Sequence, residues 1–316
     1  MEYEGKICTP PMERASFKLP IMTGCSYNKC KFCALFRNIK YRELPLEKIE
    51  EELLRIKSIK GNPAKIFLGD GNAFGLKTDR LLKILNLIHK YFPDCNCINT
   101  DATVTSILQK TDTELKKLYS EGIRCLYIGI ESGLDDVLKF MNKDHGTAEA
   151  EEAAERINKA GYTFGAHIMT GIAGGGRSIE NAEATAAFLN KTKPIRIINF
   201  SMFLHNEVPL YKDIKNGNYK ASDELSNLKE EKRLLEVLCN KENYSVFYDG
   251  FHDFLEFRVR GFLPENKNKM IELVQNKIIE YENKETEYAF VRGECSAALE
   301  KDNGSGKVWN PAAEIA

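Results

Sequence analysis

From Phe17 to Phe203 the chain reads as a strand followed by a helix, repeated six times, and this alternation limits the fold more than any other feature. Strand-like runs stand at residues 17–21, 65–69, 124–130, 163–169 and 195–203, with a weak one at 97–99. Stretches of helical period lie between them. Leu46, Ile49, Leu53 and Ile56 share one face after Pro45, and residues 79–92 are dense in Leu and Ile behind a capping Thr78. Thr111-Asp112-Thr113-Glu114 is a capping box. Two helical pieces start near Leu134 and at Thr147, the second stopped by Gly161, and a helix capped by Ser178 is broken by Pro194. Strands separated by whole helices pair in parallel through right-handed crossovers. Such units form either a doubly wound sheet or a partial barrel, and in a barrel the sites are built at the C-terminal ends of the strands. Glycine-rich or polar residues follow nearly every strand at that end.

Composition narrows the function classes. Lys plus Arg is 45 and Asp plus Glu is 46, a net charge of -1, so there is no basic field to argue for nucleic acid and a small-molecule substrate is favoured. The longest uncharged stretch, 160–176, holds six glycines and a histidine and is no membrane span. The charged start, Met1-Glu2-Tyr3-Glu4, lacks the apolar core of an export signal. Nine cysteines, an odd number, then imply a reducing, cytoplasmic setting rather than a disulfide framework.

Three of those cysteines lie within nine residues, Cys25-Ser26-Tyr27-Asn28-Lys29-Cys30-Lys31-Phe32-Cys33, just past the first strand. Soft thiolates select zinc or an iron-sulfur cluster. A closed zinc site wants four ligands, and a fourth Cys or His at standard spacing is missing. A 4Fe-4S cluster held by three cysteines keeps one iron open for a non-protein ligand.

This segment resembles the cluster loop of the radical SAM superfamily, although four residues rather than the common three separate its first two cysteines. The resemblance implies that Cys25, Cys30 and Cys33 bind a 4Fe-4S cluster, that S-adenosylmethionine (SAM) chelates the open iron, and that Phe32 shields the cluster. Gly69-Asp70-Gly71-Asn72 stands where the family carries its glycine-rich motif for the methionyl amino group. Glu131 and Ser132, in Gly129-Ile130-Glu131-Ser132-Gly133, resemble the ribose or methionyl contacts of the branch that holds elongator, methylthiotransferase and anaerobic coproporphyrinogen oxidase proteins. Gly171 opens a run, 171–176, similar to the adenine-side motif, and Arg177 follows as a partner for a carboxylate. The motifs span about residues 17–220, and the family fold is a partial (β/α)6 TIM-type barrel in the α/β class. The domain reading is therefore an N-terminal extension (1–16), the barrel (17–220), a C-terminal α+β extension (221–290) packing on it, and a flexible tail (291–316) with the linker-like run 302–306.

The implied activity is reductive cleavage of SAM, with a 5′-deoxyadenosyl radical abstracting hydrogen from a small molecule and an electron donor such as flavodoxin or ferredoxin. A tetrapyrrole oxidase, of the coproporphyrinogen kind, is the runner-up. A non-catalytic metal-binding scaffold or electron carrier is the reading from another class. Catalytic residues are not legible; His167, His205 and Tyr127 are the pocket candidates. Lys143 reads as a solvated lysine, and Cys239 and Cys295 are lone cysteines.

Overall fold

The computed structural model describes residues 8–238, 244–284 and 286–291. Cys239, Cys295, residues 1–7 of the expected N-terminal extension and residues 292–316 of the expected tail lie outside the described residues.

In chain order the elements are β1 (Phe17–Pro20), β2 (Met22–Thr23), β3 (Arg42–Glu43), α1 (Leu46–Ser58), β4 (Lys65–Gly69), α2 (Thr78–Tyr91), β5 (Cys97–Ala102), α3 (Val104–Leu108), α4 (Asp112–Ser120) and β6 (Ile123–Glu131). Then follow α5 (Asp135–Phe140), α6 (Thr147–Ala160), β7 (Thr163–Thr170), α7 (Ser178–Thr192), β8 (Arg196–Ser201), β9 (Leu204–His205) and α8 (Pro209–Lys215). The last are α9 (Glu224–Val237), β10 (Val246–His252), β11 (Phe257–Leu263), α10 (Lys267–Tyr281) and β12 (Phe290–Val291).

The main sheet runs β1-β4-β5-β6-β7-β8-β10-β11. The pairs β1–β4, β4–β5, β5–β6 and β8–β10 are parallel, and the hairpin β10–β11 is antiparallel. This is the expected α/β class with a mostly parallel sheet. The aromatic-rich stretch after Ser245, which periodicity alone leaves mixed, is that hairpin, and it extends the sheet beyond β8.

The described residues divide into two compact units: residues 8–28, 35–129 and 148–165, and the described residues of 29–34, 130–147 and 166–291. In the first unit the core is Leu19, Ile66, Leu68, Ile98 and Leu126 from the strands, with Ile49 and Leu53 of α1, Leu81, Ile84 and Leu85 of α2 and Ile157 of α6, all at 0% exposure. Each such side chain stabilises by about 1.5–3 kcal/mol, which is why helical period and strand run together suffice to specify the layers. The Thr111 capping box forms, with Glu114 returning to the Thr111 N–H. A second box at Thr103, answered by Ser106, caps the short α3. Thr78 and Ser178 are the first residues of their helices rather than the caps, which are Lys77 and Arg177.

In the second unit α7 packs on α9 and α9 on α10, burying Ala182, Ala186, Leu189, Leu228, Leu234, Leu235, Met270, Val274 and Ile278. The expected strand 195–203 ends at Ser201, because the chain then leaves the sheet. The Leu204 N–H donates to the Ala289 carbonyl (2.7 Å), and β9 pairs with β12 instead.

Candidate cofactor site

In the first unit, the loop after β4 lies against the start of the cysteine loop. Gly71 has φ +51°, and a Cβ there would sit 2.4 Å from the Gly24 carbonyl oxygen and 2.9 Å from the Cys25 Cα. Only glycine permits that approach. Asp70, 1% exposed, accepts from the backbone N–H of Cys8 (3.2 Å) and of Gly71 (2.9 Å). Asn72 donates through Nδ2 to Ser26 Oγ (3.2 Å) and accepts through Oδ1 from the Thr103 N–H (3.0 Å). The first cysteine and Gly69–Asn72 are thus brought together, and the side chains of Asp70 and Asn72 are spent on holding the loops.

Tyr127 is buried and donates its hydroxyl to Glu13 Oε1 (2.6 Å). Glu13 is fully buried and also accepts from Ser16 Oγ (2.5 Å), Lys65 Nζ (2.9 Å) and Asn99 Nδ2 (2.9 Å). Burial raises the Glu13 carboxyl, but these donors together outweigh it and hold the group below the ordinary carboxylate range. Asp101 follows Asn99 two residues on, so both project from one face of β5. Burial, then Asp70 and Glu13, push Asp101 well above its ordinary value.

In the second unit, residues 29–34 form a turn fastened by its backbone. The Cys33 N–H donates to the Cys30 carbonyl (3.4 Å), the Lys31 N–H to Met141 (2.9 Å), and the Leu210 N–H to Lys31 (3.1 Å). Asn142 Nδ2 donates to the Lys29 carbonyl (2.9 Å). Phe32 is buried among Val137, Met141, Ile172, Leu204 and Leu210, and Cys30 and Cys33 pack against the same cluster. Cys25, Cys30 and Cys33 are half-buried, and none is in a disulfide.

Glu131, at φ +65°, accepts from Lys143 Nζ at 3.1 Å, with the side chains 12% and 7% exposed. Lys143 is therefore not the solvated lysine expected. Burial disfavours its charge, yet Glu131 and then the Cys30 sulfur carry its pKa above the ordinary value. Ser132 turns away from that pair: its Oγ donates to Asn181 Oδ1 of α7 (2.5 Å). Gly133 meets the same helix, where a Cβ would stand 2.3 Å from the Ala184 carbonyl.

Gly171, at φ +85°, leaves no room for a Cβ, which would fall 2.6 Å from Asn227 Oδ1. Its N–H donates to Glu230 Oε2 (3.0 Å), and its carbonyl accepts from the Tyr219 hydroxyl (2.8 Å). Glu230, 1% exposed, also accepts from Asn181 Nδ2 (2.6 Å). Burial pushes its carboxyl up to about 8. Arg177 pairs instead with Asp136 (2.6 Å) and Glu180 (2.8 Å), near the surface. His167 stacks on Phe200 at 5.8 Å, and burial lowers its pKa to about 4. His205 lies in β9, opposite Val291 in register, and its buried Nδ1 has no hydrogen-bond partner among the described residues; burial lowers its pKa.

Sequence reasoning missed Glu13, Asp101, Asn181 and Glu230. Asp101, Asn181 and Glu230 are polar residues within a strand or helix, and Glu13 precedes β1, so none carries a local pattern that names its partner.

The family comparison decides the class. The radical SAM superfamily model matches residues 19–189, more than half of the chain. The chain belongs to the radical SAM superfamily. Its cofactors are accordingly a 4Fe-4S cluster and SAM. Among curated proteins it is similar to the heme chaperone HemW of Buchnera aphidicola subsp. Schizaphis graminum, 26% identical over 211 residues, 62% of this chain and 54% of that one. It is also similar to HemW of Bacillus subtilis, 23% identical over 153 residues, 48% and 40% of the two chains. The chain spans about half or less of the length of these relatives. Among solved structures, coproporphyrinogen III oxidase (HemN) of Escherichia coli matches with a TM-score of 0.56 at 14% identity, covering 71% of this chain and 52% of that one. Methylornithine synthase (PylB) matches with a TM-score of 0.53 at 14% identity, covering 95% and 79%. These structural likenesses show the fold alone, and it is that of the radical SAM proteins.

Among the described residues no three His, Cys, Asp or Glu side chains form a ready-made metal site, so the fit to the cluster rests on donor chemistry. Cys30 and Cys33 share one rigid turn, outside any disulfide, beside a buried lysine. Thiolates suit a cluster, and a fixed cation beside Cys30 offsets part of the charge its thiolate brings. No helix among the described residues is long and apolar enough to cross a membrane.

Proposed function

We propose that the protein is a radical SAM enzyme acting on a small molecule, with Cys25, Cys30 and Cys33 as the cluster ligands. The observation that carries this reading is the superfamily match over residues 19–189, which includes all three cysteines. When bound, the reduced cluster supplies one electron to the SAM sulfonium, giving methionine and a 5′-deoxyadenosyl radical that takes a hydrogen atom from substrate.

The chain's own residues supply the setting. The Cys30–Cys33 turn presents two thiolates from a backbone fixed at Lys29, Lys31 and Cys33. Lys143, held by Glu131, keeps a positive charge beside Cys30. Gly71 lets the loop after β4 approach Cys25, which supports its use for the methionyl amino group. Gly171 and the turn that follows give a flat ring a surface without side chains. Phe32 and its apolar cluster exclude water. An electron donor of the flavodoxin or ferredoxin type completes the system.

A second reading has specific support. Both curated relatives are named heme chaperones, and one structural relative is a coproporphyrinogen oxidase. Binding of heme or another tetrapyrrole is the alternative substrate class. The test is to reconstitute the protein anaerobically with iron and sulfide, reduce it, and follow 5′-deoxyadenosine by chromatography with and without heme. Cleavage that is independent of heme supports the small-molecule reading. Spectroscopic heme binding without 5′-deoxyadenosine favours the alternative.

A further inference from the structure

Two turns assigned above to SAM, residues 131–133 and 171–176, are tied together behind the site by one buried chain of hydrogen bonds. Ser132 Oγ donates to Asn181 Oδ1 (2.5 Å), Asn181 Nδ2 donates to Glu230 Oε1 (2.6 Å), and the Gly171 N–H donates to Glu230 Oε2 (3.0 Å). Ser132, Asn181 and Glu230 are 0%, 2% and 1% exposed. The chain crosses three elements that are remote in sequence: the end of β6, α7 and α9.

Both flanks are fixed as well. The Gly133 N–H donates to Thr185 Oγ1 of α7 (2.9 Å), and the Gly175 N–H donates to the Lys220 carbonyl (2.9 Å). Glu230 therefore accepts from both the Gly171 turn and the helix carrying Asn181. The two donors go to different carboxylate oxygens; an amide replaces one of those oxygens with an NH2, which stands donor against donor. Holding a buried carboxyl for two neutral donors costs stability. That desolvation cost offsets much of what the two hydrogen bonds to Glu230 contribute to the fold.

We propose that Glu230 and Asn181 are positioning residues for SAM: acting through Ser132 and Gly171, they hold the ribose-side and adenine-side turns in fixed register. This rests on the assignment of those turns to SAM made above. The groups with charge around Glu230 are Glu224 and Glu231 on its own helix, His252 of β10, and Glu131, which lines the same small cavity as Glu230, Asn181 and Thr170.

The test compares SAM affinity with stability in full-length, reconstituted protein at pH 8.5, where the Glu230 carboxyl is largely ionised. Glu230→Gln is expected to weaken SAM binding about tenfold, the loss of one hydrogen bond to a charged group, while the melting temperature holds or rises. In the unloaded chain the same variant is expected to speed amide exchange at Gly171. Asn181→Ala is the second variant. If the two act as one clamp, the double variant binds SAM no more weakly than the worse single variant. An affinity for E230Q within about twofold of wild type, or losses that simply add in the double variant, overturns the clamp. Wild-type protein that takes up no SAM overturns the cofactor reading itself, a different failure that the wild-type control identifies.

Discussion

Glu13 and Glu230 are both buried carboxyls, one in each compact unit, and their environments push them in opposite directions. Glu13 receives four donors, one of them the Lys65 ammonium, and lies below the ordinary carboxylate range. Glu230 receives neutral donors from Asn181, Gly171 and Ser178, with His252 acting only at a distance, and is pushed up to about 8. Burial is common to both. The number of donors and the presence of a cation decide the sign. The contrast suggests a division of labour. Glu13 anchors β4, β5 and β6 from the N-terminal segment and stabilises the fold, whereas Glu230 stabilises little and positions loops.

The most disruptive way to sharpen that contrast is Glu13→Ala, which strips the partner from Lys65, Asn99, Ser16 and Tyr127 at once. The expected loss is about 3–5 kcal/mol in chemical denaturation, because the buried Asn99 and Tyr127 are left without their acceptor. A loss below about 1 kcal/mol would mean that Glu13 is not structural.

Stability against pH tests the opposite signs. The depressed Glu13 contributes stability above the ordinary glutamate value, about 4.3, and that contribution is lost as pH falls through its lower folded value. Glu230 behaves conversely: its stabilised form is the protonated one, so stability falls as pH rises from about 4.3 toward its folded value. His252 is raised to about 9, because Glu231 and Glu224 outweigh burial. Its contribution is complete below about 6.5 and is lost as pH rises through 9. Glu230→Gln should therefore flatten the decline between about pH 4.3 and 8 and leave the decline toward pH 9 to His252. An unchanged slope between about pH 4.3 and 8 in that variant would contradict the raised Glu230.

Tyr127→Phe removes one donor from Glu13 and should cost about 1.5–3 kcal/mol, without changing SAM affinity. A drop in SAM binding with normal stability would instead return Tyr127 to the pocket. The smallest expected effect is Glu230→Gln on stability at neutral pH, within about 1 kcal/mol of wild type.

The sequence was most legible where a pattern repeats or a spacing is short. Six strand–helix units follow from period alone, and the Cys25–Cys33 loop is chemistry written in consecutive residues. What stayed hidden depends on contacts distant in sequence. Glu13 meets Tyr127 across 114 residues and Asn181 meets Glu230 across 49. Neither pairing leaves a local signal, since a glutamate on a helix is usually solvated. Lys143 was misread for the same reason, its partner Glu131 being 12 residues away across a turn. Ser132 and Asn72 stand within recognisable motifs, but their side chains face supporting residues, a direction that spacing does not encode.

The central claim is tested most directly by SAM cleavage in protein reconstituted with iron and sulfide and reduced with dithionite, with the Cys25, Cys30 and Cys33 triple variant as control. The account predicts 5′-deoxyadenosine and methionine in equal amounts from the wild type and neither from the triple variant. A wild type that binds a 4Fe-4S cluster and SAM but forms no 5′-deoxyadenosine with any candidate substrate, or a triple variant that still cleaves SAM, would contradict it.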